Sequence, residues 1–168
     1  MPYGYDGRTN QKQGSYYFNT KSGLIVWGHL YSNDYVKDPL IFFCPSQKHK
    51  QHSYNHATSN PWPPGAIVGN QRAAVSARPL IRQNNADAPL AYLKDIDGLA
   101  VTADISSSPT RIESAHVDGT NVIYFDGHAK WMDIAIFQNE LDSVGSGNFS
   151  SSKNGAMQEL WDVYDENE

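Results

Sequence analysis

The stretch of sequence that decides the fold is HVDGTNVIYFDGHAKWM, which spans residues 116–132. Residues 120–125 are rich in β-branched and aromatic side chains and predict a strand, and residues 128–132 predict its return. Asp126-Gly127 favours a two-residue type I′ turn between them, because that turn needs positive φ at both central residues. The apolar face that follows from this register consists of Val122, Tyr124, Ala129 and Trp131, with Val122 opposite Trp131.

The rest of the chain predicts a single α+β domain over residues 1–168. Strands are expected at the apolar run 40–44, at 99–103 and, as an edge strand, at 77–81. Short helices are expected at 23–33, 90–93, 134–141 and 157–164. The remaining segments are a polar N-terminal segment (1–22), a long variable loop (45–75), a Ser-rich loop (105–115) and a C-terminal extension (145–168).

Composition excludes several classes of protein. The formal net charge is −5 and the 13 basic residues are scattered apart from Lys48-His49-Lys50, so nucleic acid is not the expected partner. Cys44 is the only cysteine, which excludes an internal disulfide framework and a zinc site built from cysteines. No run of about 18 apolar residues is present, so no membrane-spanning segment is expected in these residues.

Three segments carry a resemblance to a known family. His116, nine further residues and Asp126-Gly127 form the H-x9-DG pattern, and residues 116–131 resemble the family line "H…G.NVLF.DGHVKW". Residues 35–46 (YVKDPLIFFCPS) resemble "Y.KDP.VF.CPS", and residues 98–104 (GLAVTAD) resemble "..A.VAD". On these motifs the chain resembles bacterial prepilin-like proteins, the pseudopilin type of type II secretion. The matching residues of structural interest are His116, Asn121, Asp126, Gly127, His128, Trp131, Cys44 and Pro45.

The resemblance implies a pilin-like head with a small antiparallel sheet, long loops and short helices. It also implies an extracytoplasmic location and contacts with other pilin-like subunits or with secretion and envelope components. The long N-terminal helix and the processing signal of such proteins are missing here, and we expect a truncated chain rather than a divergent member. The expected function is therefore non-enzymatic, that of a structural or interaction subunit.

His116 is open to two interpretations. Its side chain could bond a nearby carbonyl and so fix the 105–119 loop to the sheet. Alternatively it could bind a transition metal together with His128 or a carboxylate, since two His and an Asp suit such an ion. A metal-dependent hydrolase that uses His116, Asp126 and His128 is the corresponding alternative function.

Other candidate sites are less specific. Related pseudopilin heads often hold calcium, and Asp104 and Asp118 are the best candidate ligands here, although no calcium-loop spacing is present. The sequence establishes no cofactor, and calcium is the candidate that the resemblance offers. Cys44 is expected to be a small buried apolar residue, because the sequence names no base beside it. Tyr54 and Trp62, in the long loop, could form a carbohydrate- or protein-binding surface or pack against each other.

Overall fold

The computed structural model describes residues 15–20, 23–24, 27–63, 71–78, 96–146 and 153–168. It confirms an α+β fold with an antiparallel sheet. The strands are β1 (Ser15–Thr20), β2 (Gly23–Leu24), β3 (Gln71–Ala77), β4 (Ala100–Asp104), β5 (Gly119–Tyr124) and β6 (Ala129–Asp133). The helices are α1 (Trp27–Ser32), α2 (Pro109–Glu113), α3 (Ile134–Val144) and α4 (Asn154–Glu166), with one 3-10 turn at Pro39–Phe42.

The strands form one sheet in the order β2-β1-β3-β4-β5-β6, and every neighbouring pair is antiparallel. Strand β5 alternates as a half-buried strand should: Thr120, Val122 and Tyr124 are buried, whereas Asn121 and Ile123 are exposed. Helices α3 and α4 cover the buried face and build the main core with β4, β5 and β6. This core contains Ala103, Val122, Tyr124, Met132, Phe137, Leu141, Leu160, Trp161 and Tyr164.

A second core covers the part of the sheet formed by β1 and β3. Phe18 lies at its centre, completely buried, in edge-to-face contact with Phe42 and Trp62 and stacked on Phe43. Helix α1, the 3-10 turn and the loop that ends at Trp62 supply the covering side chains. The sheet is thus packed by α3 and α4 beneath β4–β6 and by aromatic loops over β1 and β3.

The β5–β6 hairpin forms, but its predicted register was wrong by one residue. Asn121 pairs with Trp131 and Val122 pairs with Lys130. The Gly127 N–H donates to the Tyr124 carbonyl (3.0 Å) and the Tyr124 N–H donates to the His128 carbonyl (3.0 Å), so the loop has three residues, 125–127. Only Gly127 of these has a positive φ (93°), as in a three-residue hairpin loop that ends in a left-handed residue rather than a type I′ turn.

The shifted register changes the composition of the hairpin faces. Met132, not Trp131, points into the main core beside Val122 and Tyr124. Trp131 and Ala129 lie on the opposite face with Ile123, and Trp131 is 47% exposed. The prediction of a face formed by Val122, Tyr124, Ala129 and Trp131 is therefore correct for two of its four members.

The apolar run 40–44 is not a buried strand. Pro39 begins a 3-10 turn, and the Asp38 carboxylate caps it by accepting a hydrogen bond from the Leu40 N–H (2.9 Å). Leu40 and Ile41 are exposed, whereas Phe42 and Phe43 are buried in the second core. Proline at the first position and an acidic cap favour a local turn over pairing with a distant strand.

Three segments predicted as irregular contain regular structure. Strand β1 lies within the polar segment 1–22, because Tyr16 and Phe18 alternate into buried positions. Strand β3 begins at Gln71, inside the predicted 45–75 loop, and lies between β1 and β4 rather than at an edge. Helix α2 occupies residues 109–113 of the predicted Ser-rich loop. The predictions for 79–81 and 90–93 lie outside the described residues.

The strand predicted at 99–103 and the helices predicted near 23–33, 134–141 and 157–164 are confirmed with shifted ends. Helix α4 is more than part of a C-terminal extension, because its Leu160, Trp161 and Tyr164 are buried in the main core. The Tyr164 hydroxyl donates to Ser106 Oγ (2.9 Å), and the pKa of this phenol is raised by burial. In the part of the chain described, no helix is both long and apolar enough to cross a membrane.

Candidate functional site

His116 lies just beyond the C-terminal end of α2, where its N–H donates to the Ile112 carbonyl (2.8 Å). Its Nε2 lies 3.2 Å from Cys44 Sγ and 3.4 Å from Asp104 Oδ2, and its ring meets Trp131 edge-to-face at 5.4 Å. These partners belong to the segment after the 3-10 turn, the end of β4 and the middle of β6. The single side chain therefore joins three segments that are far apart in sequence.

Asp104 is the second element of this arrangement. Its buried carboxylate oxygen Oδ2 accepts hydrogen bonds from the Asn121 backbone N–H (2.9 Å) and from Asn121 Nδ2 (2.9 Å). Together with His116, these groups bring three nitrogen atoms to one oxygen. We call the set Cys44, Asp104, His116 and Asn121 the basal cluster, because it lies at the end of β5 opposite the hairpin loop.

The geometry of the basal cluster favours a role in holding the three segments together over a catalytic role. In a nucleophile–histidine–carboxylate relay, one ring nitrogen contacts the nucleophile and the other contacts the carboxylate. Here the same nitrogen, Nε2, faces both Cys44 and Asp104. A histidine placed in this way does not pass a proton from Cys44 towards Asp104. The expectation that His116 fixes the 105–119 segment is supported, with a carboxylate and a thiol as partners instead of a carbonyl.

The hairpin tip holds the other half of the sequence motif. Asp126 Oδ1 accepts hydrogen bonds from the His128 N–H (2.9 Å) and from His128 Nδ1 (2.6 Å). These bonds lower the pKa of the Asp126 carboxyl below its ordinary value. The His128 ring stacks on Tyr124 at 4.4 Å. The hydrogen bonds of the Asp126 side chain are thus local, since their donors lie two positions along the chain.

The structure does not bring His116 and His128 together. Asn121 of the basal cluster and Tyr124, on which the His128 ring stacks, are three residues apart on β5, a length of roughly 10 Å at 3.3 Å per residue. The ligand set His116, Asp126 and His128 is therefore not assembled. Instead Glu168, which sequence reasoning missed, joins Asp126 and His128, and the ligand atoms of these three lie within 4.8 Å of one another.

The predicted calcium ligands occupy different settings. The Asp104 carboxylate is engaged by Asn121 and His116, and Asp118 is exposed, with its carbonyl accepting from the Ile134 N–H (2.8 Å). Among the described residues, the Asp126, His128 and Glu168 group is the one set of three such ligands within that spacing, and it contains neither residue. The calcium site at Asp104 and Asp118 stays a prediction.

The aromatic residues of the long loop pack mainly on the protein itself. Trp62 contacts Phe18, Tyr31 and Phe43, with ring centroids 5.1 to 6.1 Å apart. Tyr54 lies against Phe43 and Trp62 and keeps 38% of its surface exposed. This arrangement favours the self-packing interpretation of the pair, and a carbohydrate- or protein-binding surface at these residues stays a prediction.

Two residues of the basal cluster have roles that the sequence did not reveal. Cys44, expected to be buried, is half-buried and contacts His116, and Asp104 accepts the hydrogen bonds from Asn121. Pro45, which follows Cys44, is exposed. The available signal was the resemblance itself, since all three of its segments supply residues to this cluster.

Comparisons with models of protein families, with curated proteins and with solved structures give no match for this chain.

Proposed function

We propose that this chain is a non-enzymatic structural or interaction subunit, the extracytoplasmic head of a pseudopilin-like or type IV pilin-like protein. The observation that carries the proposal is the basal cluster. Cys44, Asp104, His116 and Asn121 come from the three segments that resemble the prepilin-like family, and their side chains are engaged with one another. Motif residues whose side chains contact one another in this way stabilise the fold.

The surface beside the cluster suits protein contact. Val117, Ile123 and Trp131 are 69%, 40% and 47% exposed, and the last two share one face of the hairpin. Strand β6 is the outermost strand on that side of the sheet, so its second edge lacks a neighbouring strand among the described residues. An exposed apolar face next to an open strand edge is a common basis for association between subunits.

The native protein in its source cells tests the proposal. We expect its intact mass to exceed 18.7 kDa by at least the roughly 20 apolar residues of a membrane helix, and we expect it in the envelope fraction. Chemical cross-linking in those cells should yield adducts with pilin-like subunits. A native mass of 18.7 kDa, a location in the cytoplasm and no such adducts would together contradict the proposal.

Surface variants sharpen the same experiment. Replacing Val117 and Ile123 by serine should reduce the cross-linked yield while leaving the thermal midpoint close to that of the wild type. Tyr35, which is 79% exposed and lies before the 3-10 turn, provides the matched control as Tyr35→Ser. Equal loss in both variants would show that the hairpin face is not the contact surface.

A further inference from the structure

Basic side chains are concentrated in and beneath the loop 47–53, although the whole chain is acidic. The residues are Lys50, His49, His52, Arg72 on β3 and Arg111 on α2, and we call them the cationic cluster. Lys50 is exposed, His49 and Arg72 are half-buried, and Arg111 and His52 are 5% and 0% exposed. The cluster therefore has an exposed outer part and a buried inner part.

Ring contacts join the members of the cluster through Tyr16 and Tyr17 of β1. The His49 and His52 rings lie 5.4 Å apart, and His52 meets Tyr16 edge-to-face at 5.3 Å. The Arg111 guanidinium lies 5.6 Å from the centre of the Tyr16 ring, and that of Arg72 lies 5.5 Å from the centre of the Tyr17 ring. The loop 47–53, β1, β3 and α2 thus meet at the cationic cluster.

The loop is fastened to α2 at the same point. Gln47 Nε2 donates to the Arg111 carbonyl (3.2 Å), and the Lys48 N–H donates to the Ser114 carbonyl (2.8 Å). The Gln47 carboxamide oxygen also accepts from the His49 N–H (2.8 Å). These bonds hold the basic loop over Arg111, so the cluster is a fixed feature of the fold.

The charges of the cluster are not neutralised. Among the described residues, neither Arg72 nor Arg111 forms an ion pair with a carboxylate, and the Arg111 guanidinium donates to Ser107 Oγ. Arg78, by contrast, is equally buried but binds both oxygens of Asp165. Buried cations are normally paired, because loss of hydration otherwise costs several kcal/mol.

Among the described residues, two buried nitrogen atoms of the cluster also find no hydrogen-bond partner, His52 Nε2 and Arg72 Nε. His52 Nδ1–H donates to the Ala73 carbonyl (2.7 Å), so Nε2 of the neutral ring carries a lone pair and becomes a donor only when the ring is protonated. Burial and the positive charges of Arg111 and Arg72 lower the pKa of both His52 and His49. Among the described residues, the site therefore has an unmatched donor at Arg72 Nε and two guanidinium charges without a carboxylate.

We propose that the cationic cluster binds a tetrahedral oxyanion, phosphate or sulfate, either free or as part of a larger ligand. Arg111 and Arg72 supply guanidinium groups whose planar forks suit such oxygens, and Lys50 and His49 supply the outer contacts. The anion provides the missing negative charge. The proposal is independent of the structural role proposed above and adds a ligand to it.

Anion binding at this site is coupled to protonation. A bound anion raises the pKa of His49 and His52 by offsetting the charges of Arg72, Arg111 and Lys50, so binding takes up protons. Affinity therefore increases as the pH falls through the range of histidine titration, by up to about tenfold per pH unit for each proton taken up. Tyr16 and Tyr17 also face the cluster, and burial raises the pKa of Tyr17 to about 12, so Tyr17 stays neutral in this range.

Sulfate is the appropriate first probe, because it does not titrate near neutral pH. Histidine ring signals are followed by NMR as sulfate replaces chloride at constant ionic strength. We expect saturable shifts for His49 and His52, tighter binding at acid pH and no comparable shift for the exposed His29, the internal control. Phosphate should behave like sulfate, whereas acetate should bind much more weakly.

Charge-matched variants separate the site from general electrostatics. Arg72→Gln should weaken sulfate binding about tenfold or more, and Lys50→Gln should weaken it less. Lys37→Gln removes the same charge from an exposed position elsewhere and should leave binding unchanged. Equal shifts at His29, equal binding of acetate, or unchanged affinity in folded Arg72→Gln would each overturn the proposal.

Discussion

The two ends of strand β5 carry the two halves of one sequence motif and are built in different ways. At the base, His116 contacts Cys44 and Asp104, which are 72 and 12 positions away along the chain, and the shared carboxylate is buried. At the tip, Asp126 contacts His128, two positions away, and both side chains are exposed to a considerable extent. The base joins segments, whereas the tip turns the chain.

This difference predicts how much the base and the tip each contribute to the free energy of unfolding. A buried acceptor that loses its donors, or a donor that loses its acceptor, bears the full cost of desolvation. An exposed pair exchanges its partner for water at little cost. Substitutions at the base should therefore destabilise the protein much more than matching substitutions at the tip.

The largest expected effect comes from a pair of glycines, one at each end of β5. A Cβ at Gly119 would lie 2.2 Å from the Met132 carbonyl oxygen and 2.8 Å from the Trp131 ring, so Gly119→Ala should cost about 3 kcal/mol of unfolding free energy. A Cβ at Gly127 meets nothing within 4 Å, and its positive φ alone should make Gly127→Ala cost about 1–2 kcal/mol. Urea denaturation of both variants measures the difference, and the reverse order would break the comparison.

Removal of the two motif carboxylates should give the next largest contrast. Asp104→Ala leaves the Asn121 N–H and Asn121 Nδ2 without their acceptor, removes the carboxylate that lies beside His116, and should cost about 3 kcal/mol. Asp126→Ala removes an exposed acceptor and should produce a clearly smaller loss. Equal urea midpoints for the two variants would show that the base is not the more strongly coupled end.

The loss of stability at acid pH should depend on the burial of the titrating histidine rather than on its place in the sequence motif. His52 is fully buried, and its pKa is lowered mainly by burial, so the unfolded chain binds a proton that the folded chain does not. Stability from this residue is complete above the unfolded pKa of about 6.5 and decreases below it, by up to about 1.4 kcal/mol per pH unit.

The variant His52→Asn removes the titrating ring and should flatten that decrease. His128→Asn at the exposed tip should leave the profile close to that of the wild type, because solvent screens its pair with Asp126. Thermal midpoints measured from neutral to acid pH compare the three proteins. A steeper dependence on His128 than on His52 would contradict this assignment.

The sequence predicted the tip better than the base for a physical reason. Asp126-Gly127 indicates a turn by local backbone preference, and the hairpin is confirmed, although the pair alone did not distinguish a two-residue loop from a three-residue loop. That one-residue difference placed Trp131 on the wrong face. No local preference links His116 to Cys44 or Asp104, since only the packing of α2 and β4 brings them together.

The same reasoning applies to the other errors. Residues 40–44 are apolar enough for a strand, but Pro39 and Asp38 favour a local turn that leaves Ile41 exposed. Strand β3 was missed because small residues such as Ala73 and Ala77 have low β-propensity, although both are buried with the aromatic side chains of the second core. Glu168 meets the hairpin tip only through the position of α4.

The most direct test of the central claim, that His116 joins distant segments through Asp104, is a double-mutant cycle in urea. His116→Ala and Asp104→Asn are measured singly and together, and the matched cycle at the tip uses His128→Ala and Asp126→Asn. The account predicts a coupling free energy of about 1 kcal/mol at the base and a smaller one at the tip. Additive effects at the base, within about 0.3 kcal/mol, would contradict it.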